Sequence, residues 1–323
     1  MKNILVLHTG GTISMSQDTN GSVTTNQTNP LMHLNLDSSQ INIIVEEFFN
    51  IPSPQMTLNK MLQLKNRLFR GYMEEGIDAA VITHGTDTLE ETAYFLDLTI
   101  GDLMPIVVTG AMRSSNEIGS DGIYNFQEAI RVASDPHSMN RGVLVVMNDE
   151  IHAARFVTKT HTTNVATFRT PTFGPVGLVT KEGPHFYQQL NEERHFNIHS
   201  VKGTIPIIKA YAGMGSDFID LIAENAPEID GLVIEALGAG NMPALTVPAL
   251  QRLIDLNIPI VLVSRCFNGI AEPVYGYTGG GKQLYDMGIM FAQGLNSQKA
   301  RIKLLVGLNA RLSRDELYQF MID

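Results

Sequence analysis

Ile4-Leu5-Val6-Leu7-His8-Thr9-Gly10-Gly11-Thr12-Ile13-Ser14 is the stretch on which the reading of this chain turns. Four consecutive apolar residues run into two glycines. A short apolar run stopped by glycine suits a strand buried on both faces, as in the middle of a parallel sheet. The arrangement recurs. Ala79-Ala80-Val81-Ile82-Thr83 ends at His84-Gly85-Thr86-Asp87, Pro105 to Thr109 ends at Gly110, and Gly142 to Met147 ends at Asn148-Asp149. Helical patterns lie between these runs. Leu58 to Glu75 carries Met61, Leu62, Leu64, Leu68 and Tyr72 at helical spacing, with Thr57 as a plausible N-cap. Leu89 to Leu98 and Asp121 to Ala133 read the same way. Alternating strand and helix predict a mostly parallel sheet covered on both faces.

The rhythm breaks over 181–203, which reads as a linker or an irregular hairpin; Asn191-Glu192-Glu193-Arg194-His195 there is polar and aperiodic. The alternation then resumes. Strands are expected at Ile205 to Ala210, Gly231 to Glu235 and Ile258 to Val263. Helices are expected at Asp217 to Glu224, Leu245 to Leu256, Gln298 to Leu308 and Arg314 to Ile322. The expected fold class is therefore α/β, with a larger N-terminal domain over residues 1–190 and a smaller C-terminal α/β domain over 204–323. Ser14 to Asn29 stands apart as a long polar stretch, and a loop of that kind can serve as a lid.

Composition removes several classes of function. With 323 residues and 44% apolar content there is ample material for two packed domains. Lys and Arg total 23 against 33 Asp and Glu, a net charge of −10, which argues against a nucleic-acid surface. The single cysteine, Cys266, cannot form an internal disulfide. No apolar stretch approaches the ~20 residues of a membrane helix. The short run Ile4 to Leu7 is not a signal h-region, so a cytoplasmic protein is expected. No metal site is expected, because HExxH, paired cysteines and His–carboxylate spacings are missing. Gly279-Gly280-Gly281-Lys282 is followed by Gln283 rather than Ser or Thr and lacks the spacing of a phosphate loop; no dinucleotide fingerprint follows the first strand. No cofactor is expected.

Chemistry concentrates at two strand ends, where ligands bind in open α/β sheets. Thr9-Gly10-Gly11-Thr12 and His84-Gly85-Thr86-Asp87 each offer a glycine turn and a hydroxyl, and the second adds a carboxylate at a helix start. Taken singly, each is an ordinary turn and N-cap. Together they put two hydroxyls, Thr12 and Thr86, on one edge of one sheet. A hydroxyl needs a base to act as a nucleophile. Lys159, in Phe156-Val157-Thr158-Lys159-Thr160-His161, is a candidate if it lies among apolar residues, and otherwise reads as a solvated lysine on an edge strand. Backbone N–H groups after Gly10 or Gly85 are candidate oxyanion donors.

These residues resemble one family. His8-Thr9-Gly10-Gly11-Thr12-Ile13-Ser14 is similar to the first signature of bacterial-type L-asparaginases, and His84-Gly85-Thr86-Asp87-Thr88 to the second. The similarity continues through Ala111-Met112-Arg113-Ser114, Ser120-Asp121-Gly122, Thr158-Lys159-Thr160-His161-Thr162 and Ser297-Gln298-Lys299-Ala300-Arg301. The resemblance implies hydrolysis of L-asparagine to L-aspartate and ammonia through a threonine nucleophile and an acyl-enzyme, with a minor L-glutaminase activity. It implies Thr12 as nucleophile, Thr86 and Lys159 as partners across the substrate, and Asp87 on the substrate's α-ammonium. It implies Ser53 on the α-carboxylate with Gln55 beside it, and Gly11 and Gly85 against the ligand. Asn241, in Gly238-Ala239-Gly240-Asn241, is implied as a neighbouring subunit's contribution in a homodimer or homotetramer. The secreted members activate the first threonine with a lid tyrosine and a neighbouring-subunit glutamate. Ser14 to Pro30 contains no tyrosine, and the region after Arg265 offers Glu272, Tyr275 and Tyr277. That difference leaves a second reading open, a non-catalytic amino-acid sensor with the same fold.

Overall fold

The computed structural model describes residues 1–26, 29–33, 40–191 and 193–323. Gln27 and Thr28 of the expected lid, and Glu192 of the expected linker, lie outside the described residues. The chain divides into two compact units, Met1–His195 and Phe196–Asp323.

The first unit is built on an eight-stranded sheet. Its strands are β1 (Lys2–Gly10), β4 (Ile41–Ile51), β5 (Ala79–Thr83), β6 (Ile106–Thr109), β7 (Val143–Met147), β8 (Glu150–Ala153), β11 (Gly177–Thr180) and β12 (Gly183–Phe186), in the order β12-β11-β8-β7-β6-β5-β1-β4. Two short hairpins complete the unit: β2 (Met15–Gln17) with β3 (Val23–Thr25), and β9 (Thr158–Lys159) with β10 (Phe168–Arg169). The strands from β4 to β7 pair in parallel, and β8, β11 and β12 add an antiparallel margin. The sheet is thus mostly parallel. The segment read as a linker or irregular hairpin begins with the β11–β12 hairpin, part of this sheet.

The continuous apolar runs are explained by burial on two sides. Side chains alternate across a strand. Ile4, Val6, Val81 and Val107 pack with Phe126, Ala129 and Ile130 of helix α3 (Gly122–Ser134). Leu5 faces the other way, where a Cβ added at Gly71 of α1 (Leu58–Glu75) would meet its side chain at 3.4 Å. Helix α1 starts where the sequence places it, because the Thr57 hydroxyl accepts from Lys60 N–H, and it stops at Gly76 in the left-handed conformation. Helix α2 spans Leu89–Ile100.

Strand order fixes where a ligand can sit. After β1 the chain goes to β4 on one side, then crosses through α1 to β5 on the other side of β1. Connections leaving in opposite directions open a crevice at the carboxyl ends of β1 and β5. The two glycine turns lie there.

The second unit has a four-stranded, all-parallel sheet in the order β13-β14-β15-β16, formed by Ile207–Lys209, Leu232–Ala236, Ile260–Ser264 and Met290–Phe291. Its helices are α4 (Asp217–Glu224), α5 (Val247–Asp255), α6 (Gly281–Asp286), α7 (Ser297–Asn309) and α8 (Arg314–Ile322). Leu232, Ile234 and Leu262 pack with Ile219, Leu250, Leu253 and Leu284 on one face. No helix among the described residues is long and apolar enough to cross a membrane.

Candidate active site

The two glycine turns touch. Gly11 has φ 83°, a conformation that side-chain-bearing residues rarely adopt, and a Cβ there would stand 2.2 Å from Gly85 Cα. A Cβ on Gly85 would stand 2.7 Å from Ser53 Cβ. Glycine is required at both positions because three backbone segments converge with no room for a methyl group. The strands beneath are tied as well, since the buried Thr9 hydroxyl donates to Thr83 O at 2.8 Å.

The convergence leaves a cleft of about 240 Å³, lined by Gly11, Thr12, Met15, Pro52, Ser53, Pro54, Gly85, Thr86, Asp87, Met112, Lys159 and Thr162. Thr12 opens a single 3-10 turn braced by the Ser14 hydroxyl on Gly11 O, and its own hydroxyl makes no hydrogen bond among the described residues. Ser53, 5% exposed, accepts Asp87 N–H on its Oγ at 3.2 Å, which leaves its hydroxyl proton to donate. Lys159 reaches in from β9. Its Nζ donates to Thr86 Oγ1 at 2.9 Å and to Asp87 Oδ1 at 2.7 Å, while the buried Glu90 carboxylate receives Lys159 N–H at 3.0 Å and fixes the strand. Lys159 is 18% exposed and meets a hydroxyl and a carboxylate at its tip, so polar partners rather than an apolar pocket define its surroundings. Asp87 is 59% exposed, open to a ligand.

The two expected oxyanion positions differ. The N–H after Gly10, on Gly11, donates to Ile51 O at 3.1 Å and is engaged. The N–H after Gly85, on Thr86, makes no hydrogen bond among the described residues. Two buried histidines sit one layer down. His8 Nδ1 is 2.7 Å from Thr83 Oγ1. His84 places Nδ1 2.8 Å from Gly85 O and Nε2 2.9 Å from Thr92 Oγ1. A carbonyl only accepts, so His84 Nδ1 carries the proton and Nε2 accepts from Thr92. Burial pushes both imidazoles down to about 4, so they are neutral struts.

Of the residues singled out from the sequence, Gly11, Thr12, Ser53, Gly85, Thr86, Asp87 and Lys159 come together at the cleft. Gln55 shares the 3-10 turn of Ser53 but is exposed and is not among the lining residues. Asn241 belongs to the second unit, where its Oδ1 accepts Gly281 N–H at 3.0 Å. Met15, Pro52, Pro54, Met112 and Thr162 line the cleft without having been singled out. Met112 and Thr162 lie inside quoted motifs, whereas nothing in their residue type marks Met15, Pro52 or Pro54. Among the described residues no group of three or more His, Cys, Asp or Glu side chains is placed to hold a metal.

A hydroxyl unbonded among the described residues shares this cleft with a lysine-bound hydroxyl and a carboxylate, at the crevice of a parallel sheet. The family model Asparaginase, N-terminal, matches residues 3–192, and the Glutaminase/Asparaginase C-terminal domain matches residues 204–321. The chain belongs to the asparaginase family. A probable L-asparaginase of Deinococcus radiodurans is 39% identical over 321 residues, covering 98% of this chain and 96% of that one. An L-asparaginase of Bacillus licheniformis is 32% identical over 310 residues, covering 94% and 95%. The crystal structure of a probable cytoplasmic L-asparaginase from Campylobacter jejuni superposes with a TM-score of 0.82 at 30% identity, covering all of both chains.

Proposed function

We propose that the protein hydrolyses L-asparagine to L-aspartate and ammonia, with a lesser action on L-glutamine. The observation that carries the reading is the Lys159 ammonium reaching both Thr86 and Asp87 in the cleft that Thr12 lines. Thr12 Oγ1 attacks the side-chain amide carbon, and the proton it loses balances the one the departing nitrogen gains. Thr86 and Lys159 form the relay on the opposite side, through which a proton reaches the departing nitrogen. The tetrahedral oxyanion takes the Thr86 N–H as a donor. Collapse breaks the C–N bond, releases ammonia and leaves an ester on Thr12; water then cleaves the ester to aspartate. Asp87 faces the substrate ammonium, and the Ser53 hydroxyl donates to the α-carboxylate. A zwitterion needs both a fixed anion and a donor, and these two residues supply them.

In this reading residues 1–190 hold the nucleophile and the substrate site. Residues 204–323 offer Asn241 to a neighbour's site in a homodimer or homotetramer. Support comes from apolar side chains left exposed on the second unit, including Phe218, Tyr211, Phe267 and Val274. The Campylobacter jejuni relative is described as cytoplasmic, and the same location is proposed for this chain. The deciding experiment is ammonia release from L-asparagine, run beside L-glutamine and beside Thr12→Ala. Release that Thr12→Ala abolishes is expected. L-asparagine binding by calorimetry with no release above the Thr12→Ala background would establish a sensor instead.

A further inference from the structure

The residues that follow Thr12 are held by a loop to which the reaction gives no part. Strand β2 carries Met15 into the cleft wall, and among the described residues its ladder partner is β3. Its other edge meets Ser115 and Asn116. Met15 O accepts both Ser115 N–H at 2.9 Å and Ser115 Oγ–H at 2.8 Å. Asn116 then does with one side chain what a strand does with its backbone: Oδ1 accepts Gln17 N–H at 2.7 Å, and Nδ2 donates to Gln17 O at 2.8 Å. An amide side chain has the same donor and acceptor pair as a peptide group, so it can complete a strand edge.

The loop bearing this asparagine is itself rigid. Asp121 accepts the N–H groups of Met112 and Arg113 at 3.0 Å or slightly more, and receives Asn125 Nδ2 at 3.0 Å. Asn125 also donates to Gly110 O at the exit of β6 and accepts Asn148 N–H at the end of β7. Arg113 bridges to Gly119 O at 2.9 Å, and Ser114 and Glu117 close the loop between them. The brace therefore runs from the sheet, through Asn125 and Asp121, to Asn116 and the strand that follows the nucleophile.

We propose that Asn116 is a positioning residue of the cleft, acting as a substitute strand edge that holds Met15–Gln17, and through it the Thr12 turn, in place against the substrate. The proposal rests on the asparaginase reading for its kinetic consequence, but its physical content does not. Amide hydrogen exchange at Gln17, compared between wild type and Asn116→Ala, tests the contact directly. Exchange about tenfold faster in the variant is expected, with the exchange of β1 and β5 unchanged. In the same variant kcat/KM for L-asparagine should fall about tenfold, mostly through KM, with Tm within about 2 °C of wild type. Asn116→Asp keeps the acceptor for Gln17 N–H and loses the donor to Gln17 O, so it should fall between the two in both measurements. Unchanged exchange at Gln17 overturns the clamp. Faster exchange with kcat/KM within about twofold of wild type overturns the positioning role. If wild type releases no ammonia, the asparaginase reading fails by itself, and the Gln17 exchange still decides the contact.

Discussion

Each unit has a glycine-rich exit from a parallel strand, and the two differ in what the polar groups around them do. At the exits of β1 and β5, Gly11 and Gly85 let two backbones touch, and among the described residues the polar groups just beyond them stay unengaged: the Thr12 hydroxyl, the Thr86 N–H, the proton of Ser53. At the exit of β14 the crowding is equal, since a Cβ on Gly279 would lie 2.2 Å from Met242 O. There the loop closes on itself. Met242 N–H donates to Gly279 O, Gly279 N–H to Gln283, and Gly281 N–H to Asn241. Backbone crowding by glycine is thus a packing device, and it offers polar groups to a ligand only where donors and hydroxyls are left over. In Gly279-Gly280-Gly281-Lys282 the N–H groups of Gly279 and Gly281 already have acceptors.

The comparison can be strained from several directions. Thr86→Ala removes the hydroxyl that Lys159 contacts at the first exit and should lower kcat on the order of 10³-fold or more, measured by steady-state ammonia release. Gly11→Ala and Gly279→Ala form a matched pair. Both force a methyl group into backbone, so both should destabilise by about 4 kcal/mol, read by calorimetric melting. A harmless Gly279→Ala would break the parallel. His8 and His84, one layer below the first exit, should make folding acid-sensitive. Burial lowers each from 6.5 to about 4. The unfolded chain takes up these protons near pH 6.5 and the folded chain only near pH 4. Stability is therefore full above pH 6.5 and is lost as pH falls from 6.5 to about 4, by up to about 3 kcal/mol per histidine. Urea midpoints at pH 7.5 and 4.5 measure the loss, and His84→Gln should reduce it. Asn241→Ala, at the second exit, should cost about 1 kcal/mol of stability through the unaccepted Gly281 N–H. It should also lower kcat/KM about tenfold if the second unit completes a neighbour's site.

The legible parts of the fold were those with a two-sided environment. Strands β1, β5, β6 and β7 are buried on both faces, so they read as unbroken apolar runs, and α1 was bounded by its own cap residues. Strand β4 escaped. Ile41–Ile51 is an edge strand with no fully buried residue, whose exposure alternates only from Ile41 to Val45 and whose middle carries Glu46 and Glu47, which resembles no buried run. The β11–β12 hairpin was ambiguous because Pro184 and His185 lie in a four-residue strand at the margin of the sheet. In the cleft, Thr12, Thr86, Asp87 and Lys159 were singled out by residue type and motif and Ser53 by the resemblance, while the hydroxyl of Thr162 was passed over. The walls were not singled out, because nothing in the residue type of Met15, Pro52 or Pro54 marks a cleft. The surroundings of Lys159 were out of reach of local pattern, since Thr86 and Asp87 lie 73 and 72 positions away, and only the family resemblance paired it with Thr86.

That separation has a kinetic consequence. Thr12, Ser53, Thr86 and Lys159 sit on four different connections, and parallel pairing requires long crossovers to close before any two of them meet. A partly folded chain can hold β5 and α2 without holding the cleft. The Thr12 hydroxyl and the lysine can meet only after those crossovers have closed. In a refolding experiment, recovery of turnover should therefore lag recovery of helical signal, and the lag would time the closure of β1 between its two neighbours.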